Sequence, residues 1–457
     1  MKYLLKNGTV VSGNSSRKLD VLIEGEKIVS LGENLSDAQA QVFDVSGKLL
    51  FPGFIDGHTH FDLEVAGTVT ADDFETGTRA ALKGGTTLVI DYASQDKGGG
   101  TLKEGLEKWH KKADGKCSCD YSFHMSIVEW NPQVEAEIPD MIQEGITSFK
   151  LYMTYPAMIV NDGDLYRIIK SLKEHGCFAG VHCENAEVID ALIQEAKKDG
   201  RFGPENHPLV RPDEMEAEAV HRLLVIAGQA KAPVMVVHLT NKKAYEEVMR
   251  AREKGQTVYA ETCPQYLLLE DSVYSRPDFE GAKFVCAPPI RKKADQDCLW
   301  EALAKETIQT VATDQCSFTM EQKALGKEDF TKIPGGLPGV ETRGTLLYTY
   351  GVREGKITQE QMCKLLSETP AKLYGVYPRK GVIMEGSDAD LVVFDPEKES
   401  VISAKTHAYN TDNNPFEGFV LHGGITDVFL RGHHAVKEGE LVEEKLGTYI
   451  YREKNQM

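Results

Sequence analysis

Two histidines one residue apart, His58 and His60, close an apolar run; Lys150, His182 and His238 sit in later apolar runs, and Asp314 ends another. A strand places residues i and i+2 on one face, so His58 and His60 can reach one ion together. Imidazole and carboxylate donors at this density suit Zn2+, and Mn2+, Fe2+ or Co2+ by the same chemistry. With no thiolate in the set, the pattern reads as an open catalytic site rather than a closed structural one. A lone histidine in an apolar run is ordinarily a satisfied core residue, but a doubled pair, two more in apolar strands and a terminal aspartate are poorly explained that way. Lys150 is the odd member, because an ammonium cannot ligate a cation. Desolvation among Phe149, Leu151 and Tyr152, with metal charge nearby, would pull it toward the neutral amine, which can add CO2 and become a carbamate with two ligating oxygens. The other reading is a strand-end lysine paired with an acid.

These residues need a scaffold that brings strand ends together. Eight short β-rich runs, GFIDGHTH, TTLVIDYA, YSFHMSIV, ITSFKLYM, CFAGVHCEN, APVMVVHLT, TVYAETC and IQTVATDQC, alternate with amphipathic stretches of helical length. Asp73 to Leu82, Asp164 to Glu174, Glu214 to Ala227 and Lys243 to Glu253 carry apolar residues at three- and four-residue steps, as crossover helices would. The alternation predicts a (β/α)8 barrel of the TIM type with its active site at the C-terminal strand ends. A doubly wound sheet is the weaker alternative, because it would want a GxGxxG after the first strand and none is there. Before Phe51, LLKNGTVV, DVLIEGEKIVSLG and QVFDVSGKLLF read as β-hairpins turned at Asn-Gly, Gly-Glu and Ser-Gly. Short strands return from about Ala389 in ADLVVFDP, ESVIS, TDVFLRGHHAV and GELV. The expected organisation is residues 1–51 and 386–457 as two parts of one small β-sandwich, with a C-terminal tail, around a barrel over 52–385.

Composition narrows the partners. The chain has 457 residues, 70 acidic against 52 basic side chains and a net charge of -18, a field that repels nucleic-acid backbones and anionic membranes. No stretch approaches the roughly 18 to 20 apolar residues of a membrane span, and the opening MKYLLKNGTVV breaks at Lys6 and Asn7, too early for a signal segment. Nine cysteines without a CxxC spacing fit buried thiols in a reducing, cytoplasmic setting. Cys117 and Cys119 read as a surface loop rather than a metal site, since no second pair completes a tetrahedral set.

PGFIDGHTHFDL, GTVTADDFETGTRAALKGGTT, SFKLYMTY, VHCEN, TDQCSF with DFTKIPGG, TPAKLYGVYPRKGVIMEGSDADLVVFDP and NNPFEGF together resemble the D-hydantoinase and dihydropyrimidinase branch of the amidohydrolase superfamily. The resemblance covers nearly the whole chain. It implies two divalent metal ions, one held by His58, His60 and Asp314 and the other by His182 and His238, with a carboxylated Lys150 bridging them. It implies hydrolysis of the ring amide of a hydantoin or dihydropyrimidine to an N-carbamoyl amino acid, with Asp314 moving the proton and the Tyr155 hydroxyl steadying the oxyanion. It also implies a small-molecule cyclic ureide or imide as the only partner besides other copies of the chain, in a homo-oligomer, with a tetramer favoured.

Substrate contacts follow from the same resemblance. Ring amides would be held by backbone groups near CAPPIR and IPGG, where this chain has Ala287 and Gly335 in place of a common Ser and Asn. The exocyclic substituent would meet Leu63, Val65, Tyr152 and Ile159, an apolar set that predicts alkyl- or aryl-substituted hydantoins. CAPPIR also resembles allantoinases, which leaves another cyclic ureide hydrolase as the alternative. A dihydroorotase would want an arginine two residues past the second histidine, and Asp62 there has the wrong sign for an anionic substrate. A non-catalytic scaffold related to dihydropyrimidinases would lack part of the metal set. The strand-four lysine disfavours a deaminase, and an assay on a hydantoin beside an aryl phosphotriester separates a phosphotriesterase.

Overall fold

The apolar runs fold as eight parallel strands, Phe54–Thr59, Thr86–Ser94, Asp120–Ser126, Ser148–Tyr152, Phe178–His182, Val234–Val236, Val258–Thr262 and Thr310–Val311. They are seen in a computed structural model that describes residues 1–457. Each strand pairs with the next in chain order, and a parallel bridge between Thr59 and Gln315 brings the first and last together into a (β/α)8 barrel. Helices Phe74–Lys83, Leu102–Ala113, Pro132–Gln143, Asp162–Glu174, Ala186–Lys198, Asp213–Ala230, Lys242–Glu253 and Lys293–Ala304 fill the crossovers.

The punctuation of these units is chemical. Asn131, Asn161, Asn185 and Asn241 cap four crossover helices through side-chain oxygens that accept backbone N–H bonds of 2.9–3.1 Å. All four of those helices are left through a glycine at positive φ, Gly145, Gly176, Gly200 and Gly255, where a side chain would strain the turn. The strands are buried on both faces, and full burial of a residue such as Val89, Leu151 or Val181 stabilises by about 1.5–3 kcal/mol.

The chain ends form two further sheets. Lys2–Lys6, Asp20–Glu24, Lys27–Gly32 and Gln41–Asp44 make one; Leu391–Val401 pairs antiparallel with Leu49–Pro52 in the other. Tyr3, Leu5, Ile23, Leu50, Leu391 and Phe429 pack between them. Buried Lys380, held to Asp120 at 2.7 Å and Asp390 at 2.6 Å, ties this unit to the third barrel strand.

Three local expectations need correction. Asn7-Gly8 and Ser46-Gly47 do not close hairpins: the strands on either side of each lie in different sheets, so both dipeptides are corners where the chain changes layer. A Cβ on Gly8 would sit 2.9 Å from Val45 Cγ2, which explains the glycine without a hairpin. ADLVVFDP and ESVIS form one long strand, Leu391–Val401, with a register shift between Asp395 and Glu399. Cys117 and Cys119 are buried rather than on a surface loop; burial pushes both thiols well up, as expected of inert packing residues. No helix is long and apolar enough to cross a membrane.

Candidate active site

The first barrel strand presents His58 from its end and His60 just beyond, and their Nε2 atoms lie 3.3 and 3.2 Å from Asp314 Oδ1, past the eighth strand. Two acids hold this arrangement. Asp56 accepts from the His58 backbone N–H at 3.2 Å and from Thr313 Oγ1 at 2.7 Å, so one carboxylate locks the histidine to the residue before Asp314. Asp91, on the second strand, accepts from Thr59 Oγ1 at 2.9 Å and the Phe61 N–H at 2.8 Å, fixing both flanks of His60.

His58 Nδ1 lies 2.6 Å from Glu261 Oε1 on the seventh strand. A ring that donates from Nδ1 presents the Nε2 lone pair to the site, the standard way a carboxylate orients a ligating imidazole. On the other side His182 Nε2 lies 2.7 Å from Glu184 Oε2, which also accepts from Arg211 Nη1 at 2.7 Å. That contact leaves Nδ1 as the available nitrogen of His182. Burial opposes ionisation of Glu184, but Arg211 and His182 outweigh it and hold the carboxyl well below its usual range.

His238 lies two residues past the sixth strand rather than in it, with its ring centroid 4.5 Å from that of His182 and 5.4 Å from that of His58. Burial drives His58 and His238 well below the usual imidazole pKa, helped by Lys150 at the first and by His182 at the second; burial also lowers His182, against the pull of Glu184. The three rings are therefore neutral at pH 7, the state in which imidazole ligates. Lys150, on the fourth strand, is 1 % exposed. Its Nζ lies 5.0 Å from the Tyr92 ring and 5.3 Å from the Tyr152 ring. Burial pulls the amine down to about 8, although Asp314 and Glu261 oppose the shift.

A divalent cation fits this donor set. The ligand atoms of His58, His60 and Asp314 lie within 4.8 Å of one another. His58 Nε2 and His238 Nδ1 are buried nitrogens without a hydrogen bond, a cost that coordination would remove. Backbone strain gathers here too. His238 (φ 40°), Asp314 (φ 54°), Tyr155 (φ 65°) and Asp62 (φ 51°) all occupy the left-handed region that non-glycine residues avoid.

Tyr155 follows the fourth strand, its ring 5.1 Å from that of His182 and 5.8 Å from the Arg211 guanidinium carbon. Burial raises its phenol well above the ordinary value, so it remains a hydrogen-bond donor. Tyr152 and Ile159 bridge across the base of the same loop. Leu63 and Val65 belong to a hairpin after the first strand, which Thr70 closes by donating its backbone N–H to Leu63 O at 3.0 Å. Ala287 and Gly335 occupy two adjoining segments, joined where the Gly336 N–H donates to Val285 O at 2.9 Å. Asp62, the position where an arginine would bind an anionic substrate, instead has its carboxylate 3.8 Å from Lys112. A cleft of about 1000 Å³ opens beside the Tyr155 loop, between Trp130, Met153, Ile159 and Arg222.

The spacing of metal donors in the sequence does not point to Asp56, Asp91, Glu184, Glu261 or Arg211. The acids did leave a signal: FIDGHT, LVIDYA and VYAET are buried runs that each contain one carboxylate, and a charge in a strand covered on both faces needs a partner.

The amidohydrolase family model matches residues 49–435. The D-hydantoinase of Geobacillus stearothermophilus is 46% identical over 458 residues, covering 99% of this chain and 97% of that one. The D-phenylhydantoinase of Escherichia coli strain SE11 is 41% identical over 442 residues, covering 96% and 95%. Among solved structures, the dihydropyrimidinase from Brevibacillus agri NCHU1002 superposes with a TM-score of 0.98 at 44% identity, over 100% of this chain and 99% of that one.

Proposed function

The chain belongs to the amidohydrolase family, and from that premise we propose that it hydrolyses the ring amide of hydantoins, with D-5-substituted hydantoins carrying an apolar group as preferred substrates. The observation that carries this reading is the meeting of His58, His60 and Asp314 at one point, backed by His182, His238 and Lys150, within a chain at least 40% identical to hydantoinases along nearly its full length. His58, His60 and Asp314 would hold one divalent ion, read as Zn2+, and His182 and His238 a second, with Lys150 as the bridging carbamate. Bound there, such ions supply Lewis acidity for the ring carbonyl and make water acidic enough to serve as nucleophile near neutral pH.

The chain's own groups complete the reaction. Asp314 Oδ takes a proton from the attacking water as its oxygen bonds the ring carbonyl carbon, then passes that proton to the ring nitrogen as the C–N bond breaks. Tyr155 donates a hydrogen bond from its hydroxyl to the developing oxyanion, and the raised phenol pKa keeps the proton on the tyrosine oxygen at the pH of catalysis. Glu261 and Glu184 keep the imidazoles at their tautomers. The backbone at Ala287 and Gly335 holds the ring, while Leu63, Val65, Tyr152 and Ile159 meet the substituent. This lining disfavours a charged side group, which would lose hydration without gaining a partner.

Purified protein should contain divalent metal and should open D-5-phenylhydantoin faster than its L enantiomer, dihydrouracil or allantoin. Metal-loaded protein that opens none of these rings would overturn the reading, and equal rates for apolar and carboxylate-bearing 5-substituents would remove the four apolar residues from the pocket. Tyr155→Phe should lower kcat by about 100-fold, the cost of one oxyanion donor, with metal content unchanged on elemental analysis.

A further inference from the structure

The one-turn helix Met320–Lys323 lies outside the metal centre, yet its last two side chains reach two different substrate loops. Lys323 is fully buried. Its Nζ donates to the carbonyls of Val285 at 2.9 Å, Pro334 at 2.7 Å and Gly336 at 2.9 Å; burial pulls the amine down to about 7, and in its protonated form three donors meet three acceptors. The Val285 carbonyl lies two residues before Ala287, and the Pro334 and Gly336 carbonyls bracket Gly335. The second segment is also pressed against the loop that carries Asp314: a Cβ on Gly336 would come 2.2 Å from Cys316 O. Gln322 turns the other way. Its Nε2 donates to Thr68 Oγ1 at 2.9 Å and Val69 O at 2.6 Å, on the hairpin that carries Val65. The helix itself is pinned by a capping box between Thr319 and Gln322, and by Asp412, which accepts the Met320 N–H at 2.8 Å.

A fully buried amine with no acidic partner is a poor choice for packing, which an apolar side chain would serve at lower cost. What it does uniquely is gather carbonyls from two segments that share no regular secondary structure. We propose that this helix is a brace with divided labour: Lys323 is a positioning residue for the backbone that holds the substrate ring, and Gln322 for the hairpin that meets the exocyclic substituent. The inference rests on the hydantoin-opening reading. Neither side chain touches the reacting atoms, so each acts through the loop it holds.

The test compares Lys323→Met and Gln322→Ala with wild type on unsubstituted hydantoin and on D-5-phenylhydantoin, together with amide hydrogen exchange over 63–70 and 333–337. Lys323→Met should raise KM about tenfold for both substrates while kcat changes less than about threefold, the signature of lost uniform binding, and should speed exchange in 333–337 alone. Gln322→Ala should leave KM for hydantoin as in wild type, raise it about fivefold for the phenyl compound, and speed exchange in 63–70 alone. An unchanged KM in Lys323→Met, a loss confined to kcat, or equal effects of Gln322→Ala on both substrates overturns the brace. If Lys323→Met fails to fold, Lys323→Gln, which keeps two donors, is judged by the same criteria. A wild-type enzyme that opens neither ring overturns the functional reading, and the exchange pattern still decides the brace.

Discussion

Lys150→Ala is expected to lose its metal and to turn over at least about 1000-fold more slowly, because charge stabilisation of several kcal/mol disappears with the ions. The reason lies in the amine rather than in packing. Burial pulls Lys150 down to about 8, so roughly a tenth of it is neutral at pH 7, roughly half at pH 8 and only roughly 1% at pH 6. The neutral nitrogen adds to the carbon of CO2, a C–N bond forms and one proton leaves, turning a cation that repels metal into an anion that binds it. Raising the pH increases the reactive fraction, so metal-stripped wild-type protein should regain activity faster at pH 8 than at pH 6. It should do so in bicarbonate but not in CO2-free buffer. Elemental analysis, with circular dichroism to show that Lys150→Ala remains folded, checks the first expectation; reactivation at one rate with and without CO2 would remove the carbamate.

Lys150 was legible in the sequence because a lysine inside SFKLYM contradicts its surroundings, and His58 and His60 because two imidazoles at one strand end are hard to explain otherwise. The barrel was legible as well: its strands are short, mostly apolar runs, and the helices between them show the 3.6-residue period. What stayed hidden depends on partners distant in sequence. Glu261 matters only because folding sets it 2.6 Å from a histidine 203 residues away. Lys323 was invisible for a stricter reason, since its partners are backbone carbonyls and any residue supplies those. The Asn7-Gly8 corner misled because the dipeptide reports left-handed backbone, which a hairpin and a change of sheet use equally. Local chemistry was therefore readable where a residue conflicted with its own neighbours, and unreadable where the conflict was resolved across the fold.

Asp314→Asn separates proton transfer from metal binding more cleanly than any other change at the site. The carboxamide has the same shape and keeps an acceptor oxygen near His58 and His60, and asparagine tolerates the positive φ of 54° better than most residues. Neither the loop nor the ring positions should move, and a substantial share of the metal should remain. What is lost is a group able to accept a proton and return it, so kcat should fall by about 1000- to 10,000-fold. The pH dependence makes the assignment specific. Burial pushes the Asp314 carboxyl up, but His58 and His60 outweigh it and hold it below the ordinary aspartate value. A carboxyl with a depressed pKa is ionised at every pH above that value, so the base form is fully present from about pH 5 upward. The wild-type enzyme should therefore show no acid limb from this residue between pH 6 and 9, and the ratio of wild-type to variant kcat should stay constant across that range. A metal-loaded Asp314→Asn enzyme retaining more than a tenth of wild-type turnover would mean that another group carries the proton.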